Sequence, residues 1–143
     1  MEYEEACERR IEENEHYLDL FESFLAEKGL SKKTIQNHMQ NTEFYINSYL
    51  LRYEPEPIKE GCYMIAGFLG DYFIRKCMWS TPGNIKSTAA SIKKFYSCMF
   101  DNEIIDKNDY ETLCESIKEN IEEWQETCRQ YDDPDDENPF AFF

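Results

Sequence analysis

Apolar side chains recur in this chain every third or fourth residue, and nowhere do they alternate over a useful length. That spacing lines one face of a helix and is foreign to a half-buried strand, so the chain is predicted to be all-α. Residues 3–28 form the first predicted helix, with Cys7, Ile11, Leu18, Phe21 and Leu25 inward and Gly29 as a left-handed stop. Ser31 is a good N-cap for a second helix to about Leu51. Its inner face is Ile35, Met39, Thr42, Ile46, Tyr49 and Leu50, and its outer face is Lys33, Asn37, Gln40 and Phe44. Phe44 is expected to be buried under the N-terminal helix rather than to offer its ring to a base. Pro55 and Pro57 close that element.

A third helix, about Gly61–Met78, is apolar on most sides and is expected at the centre. Ser80-Thr81-Pro82 is a cap followed by a first-turn proline, opening a fourth helix to about Phe100. Ile85, Thr88, Ile92, Phe95, Tyr96 and Met99 face inward there, with Lys86, Ala90, Lys93, Lys94 and Ser97 opposite. After a turn at 101–108, a long helix of about Asp109–Gln130 carries a near-heptad stripe from Tyr110 to Tyr131. The stripe is expected to pack on the rest of the domain, with a self-association seam as the alternative. The predicted fold is a compact orthogonal bundle of four to five helices with a long C-terminal helix. Residues 1–131 make one helical domain, and 132–143 an acidic linker with an apolar tail.

The chain has 143 residues with ten Phe and ten Tyr, enough apolar material for one core. Its net charge of −15 argues against nucleic acid only if spread evenly. It is not. Residues 1–27 carry ten acidic and two basic side chains, and residues 108–143 carry twelve and two. Residues 28–107 carry eight acidic and eleven basic, a net of +3. The chain therefore reads as a mildly basic centre between acidic ends.

No stretch approaches the roughly 18–20 apolar residues of a membrane span, and Met1-Glu2-Tyr3-Glu4-Glu5 has the wrong charge for a signal peptide. The six cysteines are never closer than fourteen residues, so no metal knuckle or redox pair is spelled out. They are read as buried thiols of a reducing cytoplasm. Phosphate-loop and dinucleotide glycine patterns are absent, and no cofactor, metal site or enzymatic role is expected.

Two segments carry a resemblance. The first runs Phe24-Leu25-Ala26-Glu27-Lys28-Gly29-Leu30-Ser31-Lys32-Lys33-Thr34-Ile35, with Tyr45 and Leu50 behind it. The second spans Ile85 to Ile105 and contains Ile92-Lys93-Lys94-Phe95-Tyr96 and Asn102-Glu103-Ile104-Ile105. Read together, over roughly residues 15–108, they resemble the SAM-like core-binding domain of tyrosine recombinases and phage integrases. The resemblance implies a SAM-like bundle whose two corresponding helices approach double-stranded DNA. The residues it points to are Lys32, Lys33, Thr34 and Asn37 on the second helix, and Lys86, Ser87, Lys93 and Lys94 on the fourth. Lysines neutralise phosphates and Asn reads base edges, while the starts at Ser31–Thr34 and Ser80–Asn84 offer unpaired N–H groups.

The departures are equally definite. The family's His-x-x-Arg motif is missing, since His16 precedes Tyr17-Leu18-Asp19 and His38 precedes Met39-Gln40-Asn41. There are five arginines, and an acidic helix follows Asn108-Asp109 where the family continues toward a catalytic domain. The expectation is a non-catalytic DNA-binding module, accessory to integration or recombination, with a recombinase catalytic subunit or a second copy on the C-terminal helix as partner. The competing expectation is a helical protein-interaction module or an acidic DNA mimic acting through residues 110–131 and the tail.

Overall fold

The computed structural model describes residues 2–132. The Phe-rich end of the predicted tail therefore lies outside the described residues. Helix α1 spans Glu2–Glu27, α2 Lys32–Phe44, α3 Ile65–Gly67, α4 Phe73–Lys76, α5 Pro82–Asp101 and α6 Lys107–Asp132. Among the described residues there is no strand, and the molecule is an all-α bundle with a long C-terminal helix, as the spacing predicts.

The caps fall where the sequence puts them. Gly29 sits at φ +76°, where a side chain would be strained, and turns the chain out of α1. The Ser31 hydroxyl accepts from the Thr34 N–H at 3.2 Å, and the Thr81 hydroxyl from the Asn84 N–H at 3.0 Å. Pro82 then occupies the first turn of α5, where its missing N–H costs nothing.

The core is built on α5. Ile85, Ile92, Phe95, Tyr96 and Met99 are all buried, and α1, α2 and α6 pack around them. The inner face of α1 is Asn14, Leu18, Phe21 and Leu25. Ile11, expected inward, is 43% exposed, because the buried contact at that level is polar. The Asn14 amide donates to the Ile46 carbonyl (3.3 Å) and to Asn47 Oδ1 (2.8 Å). The stripe of α6 packs within the chain, with Leu113, Trp124 and Cys128 buried and Tyr131 exposed.

Two expected helices are interrupted. α2 gives way to a π-helical turn at Tyr45–Tyr49, which brings Tyr45, Ile46 and Tyr49 inward together. The single third helix is instead a 3-10 segment at Ile58–Tyr63, then α3, a π-helical turn at Phe68–Tyr72, and α4. Its glycines explain the break. A Cβ on Gly61 would strike the Tyr96 hydroxyl, and one on Gly70 would lie 2.7 Å from Trp124 Nε1. These points are fitted to large side chains from α5 and α6 rather than to helical regularity. Phe44 also departs from expectation. It packs on Phe68 and Trp79, with centroids 5.9 and 5.8 Å away, rather than under α1, because the broken segment supplies an aromatic cluster on that side.

Candidate nucleic-acid interface

α2 and α5 lie side by side and are joined by polar contacts. Ser91 Oγ accepts from the Asn41 amide at 3.0 Å, meets His38 Nδ1 at 2.7 Å and donates to the Ser87 carbonyl at 3.1 Å. The seam runs antiparallel, since His38 faces Ser91 and Lys94 whereas Phe44 reaches Trp79 before the start of α5.

Two grooves open along α5. The first, about 270 Å³, is lined by Asn37, Gln40 and Asn41 of α2 with Asn84, Ser87 and Thr88 of α5, and Trp79 closes its end. The second, about 320 Å³, has Lys28, Lys93 and Lys94 over a floor of Phe24, Ala90 and Tyr110, with Ser97 beside them. Ser87 and Lys94 are seven residues apart, so the grooves follow each other by about 10 Å along the helix.

The structure thus joins the two predicted faces in part. Asn37 and Ser87 meet in the first groove, and Lys93 and Lys94 in the second. Lys32, Lys33 and Thr34 stand on the opening turn of α2, and Lys86 on the exposed side of α5, and none of these four lines either groove. The two helix starts are less open than the sequence suggests, because each cap already takes one of the free N–H groups.

Lys28, Asn41 and Asn84 line the grooves without being among the contact residues expected from the sequence. Lys28 lies on the turn after α1, its Nζ 4.7 Å from the Phe24 ring, and reaches the α5 lysines only through the packing of α1 on α5. Its one sequence signal is its place directly before the Gly29 stop.

The charges around the grooves differ in kind from those elsewhere. Arg9, Arg10 and Arg129 are paired with carboxylates of their own helices, Arg75 with Asp71 of the preceding π-helical turn, Lys59 with Asp109 and Lys107 with Glu111. Arg52 stacks on the Tyr49 ring at 3.8 Å. Lys28, Lys32, Lys33, Lys86, Lys93 and Lys94 have no carboxylate within ion-pair distance among the described residues; elsewhere only Lys76, Lys118 and the stacked Arg52 share that condition. His38 registers the consequence. Burial pushes its pKa below the ordinary 6.5, and the neighbouring Lys94 charge lowers it further. Carboxylates return at the far end of α5, where Asp101 acts on Tyr110 and Cys98.

Among the described residues no three His, Cys, Asp or Glu side chains are grouped to hold a metal ion, and no helix is long and apolar enough to cross a membrane. No family model, curated protein or solved structure matches this chain.

Proposed function

We propose that this chain is a non-catalytic DNA-binding module of the cytoplasm, related to the SAM-like core-binding domain of tyrosine recombinases and accessory to integration or recombination. The observation that carries this reading is the un-neutralised lysine set along α2 and α5, in a chain whose other basic groups are mostly paired. Free lysines beside a groove neutralise phosphates without first breaking an ion pair. Lys28, Lys93 and Lys94 would hold the backbone of one strand, and Asn37 and Ser87 would face the bases. Lys32, Lys33, Thr34 and Lys86 would extend the contact at its edges. A recombinase catalytic subunit or a second copy would join through α6.

Titration onto duplex DNA at several salt concentrations tests this reading. Each neutralised phosphate contributes a slope of about −0.9 in log K against log salt. Absence of binding even at about 50 mM salt would overturn it, as would unchanged affinity after joint replacement of Lys33, Lys93 and Lys94 by Glu.

One observation favours a second reading, the protein-interaction module or DNA mimic. Glu111, Glu115, Glu119, Glu122, Glu123 and Glu126 are all exposed along α6. Such a row would suit a basic partner protein, with charge setting specificity. Deleting residues 132–143 separates the two readings: retained DNA affinity supports the first, and loss of a protein partner or of self-association supports the second.

A further inference from the structure

Trp79 and the first groove ask for more than a phosphate. Trp79 is 56% exposed, yet its ring is held in T-shaped contacts with Phe44 and Phe73, at centroid distances of 5.8 and 6.4 Å. Its carbonyl accepts from the Asn84 amide at 2.6 Å, and the neighbouring Ser80 hydroxyl is buried against the Ile74 carbonyl at 3.4 Å, so the turn that carries the ring is tied on both sides. An indole held still with a surface open to solvent is a stacking platform whose ordering cost has already been met by folding.

The groove beside it is lined with side-chain amides, those of Asn37, Gln40, Asn41 and Asn84. Asn41 and Asn84 each spend an amide N–H inside the chain, whereas the side chains of Asn37 and Gln40 make no hydrogen bond to the described residues. A side-chain amide presents one donor face and one acceptor side by side, the pattern of a nucleobase edge. A rigid aromatic surface next to unengaged amides is the chemistry by which proteins hold bases taken out of the helical stack. Paired bases cannot use it, because both their faces are covered by their neighbours in the duplex.

We propose that the Trp79 groove is a site for a single unstacked nucleobase, stacked on the indole with its edge toward Asn37 and Gln40. This inference rests on the DNA-binding reading and adds to it a second contact, made only with DNA that carries an unpaired base.

The test uses the full chain with Trp124→Phe, which leaves Trp79 as the one tryptophan, titrated with a single-stranded oligonucleotide, a fully paired duplex and the same duplex with one bulged base. Trp79 emission should be quenched by the single strand and by the bulged duplex, but not by the paired one. Trp79→Ala should weaken the single strand and the bulged duplex by about 5- to 150-fold and leave the paired duplex unaffected. Should Trp124→Phe fail to fold, the difference in quenching between the wild-type chain and Trp79→Phe reports the same contact. Equal affinity for paired and bulged duplex with unchanged Trp79 emission would overturn the inference and leave the duplex reading standing. No binding to any of the three DNAs would overturn both.

Discussion

His38 Nδ1 and the Ser91 hydroxyl are hydrogen-bonded at 2.7 Å, and this bond ties α2 to α5 where the Lys94 charge acts on the ring. Ser91 also accepts from the Asn41 amide at 3.0 Å, so two residues of α2 meet this one hydroxyl of α5.

Because burial and then Lys94 lower the pKa of His38, the folded chain favours the neutral ring. A histidine depressed in the folded state supplies stability that is complete above its ordinary 6.5 and is lost as pH falls through the folded value. Denaturant titrations between about pH 7.5 and pH 5 should therefore show falling stability that His38→Gln flattens. Lys94→Gln should raise the His38 pKa seen by NMR, and no change there would show that Lys94 does not reach the ring.

Much of this seam was legible in the sequence, because its determinants are local. Ser31, Thr81-Pro82 and Gly29 announce helix ends through backbone chemistry that acts within a few residues. The inward faces of α5 and of most of α2 follow from spacing for the same reason. What escaped was set at long range. Asn14 is buried because Asn47 and the Ile46 carbonyl meet it, and Lys28 joins Lys93 and Lys94 only once α1 docks. The stretch 61–78 looks like one helix in spacing, but its glycines answer to Tyr96 and Trp124, which lie far along the chain.

The start of α6 is a second place where charge and fold are linked. Asp106 and Asp109 cap each other, the Asp109 N–H donating to Asp106 Oδ1 at 2.8 Å and the Asp106 N–H to Asp109 Oδ2 at 3.1 Å. The Tyr63 hydroxyl donates to the other Asp109 oxygen at 2.5 Å. Burial raises the Asp109 carboxyl, but Tyr63, the Asp106 N–H and Lys59 together hold it below the ordinary 3.8. Its stabilising effect is complete above that value and is lost as pH falls through the folded one. Asp109→Ala should cost about 1–2 kcal/mol at neutral pH in denaturant unfolding, and it should remove part of the acid limb. A variant with unchanged acid sensitivity would show that this carboxylate is not the group responsible.

Gly61 and Tyr96 form a packing pair suited to a double-mutant cycle. The Tyr96 hydroxyl donates to the Ile58 carbonyl at 2.6 Å and blocks the space a Cβ on Gly61 would need. Gly61→Ala should cost about 1–3 kcal/mol by overpacking, and Tyr96→Phe about 1 kcal/mol for the lost hydrogen bond. The double variant should cost less than the two together by at least about 0.5 kcal/mol, since the phenylalanine frees the hydroxyl's place. Relief stays partial, because Leu50 and Tyr45 remain 3.1 Å from the added carbon. Simple additivity in thermal or denaturant melts would contradict the contact.

Thiol reactivity should divide the cysteines. Burial pushes Cys62 up to about 12 and Cys77 and Cys98 up to about 11, so none of the three forms thiolate at neutral pH. Cys128 is buried, while Cys7 and Cys114 are only half-buried. A colorimetric thiol reagent at pH 8 should modify Cys7 and Cys114 first in the native chain, with all six reacting in denaturant. Rapid labelling of Cys62 in the native state would contradict the packing around it.

A matched pair of charge reversals distinguishes DNA held by the lysines of the α5 groove from DNA held by positive charge at large. Lys93→Glu/Lys94→Glu alters the groove, and Lys76→Glu/Lys118→Glu alters net charge equally at the two unpaired lysines elsewhere. Duplex affinity at a fixed low salt concentration is the readout. The first variant should abolish binding, and the second should stay within a few-fold of the wild-type chain. Equal loss in both variants, or none in the first, would contradict binding by the groove lysines.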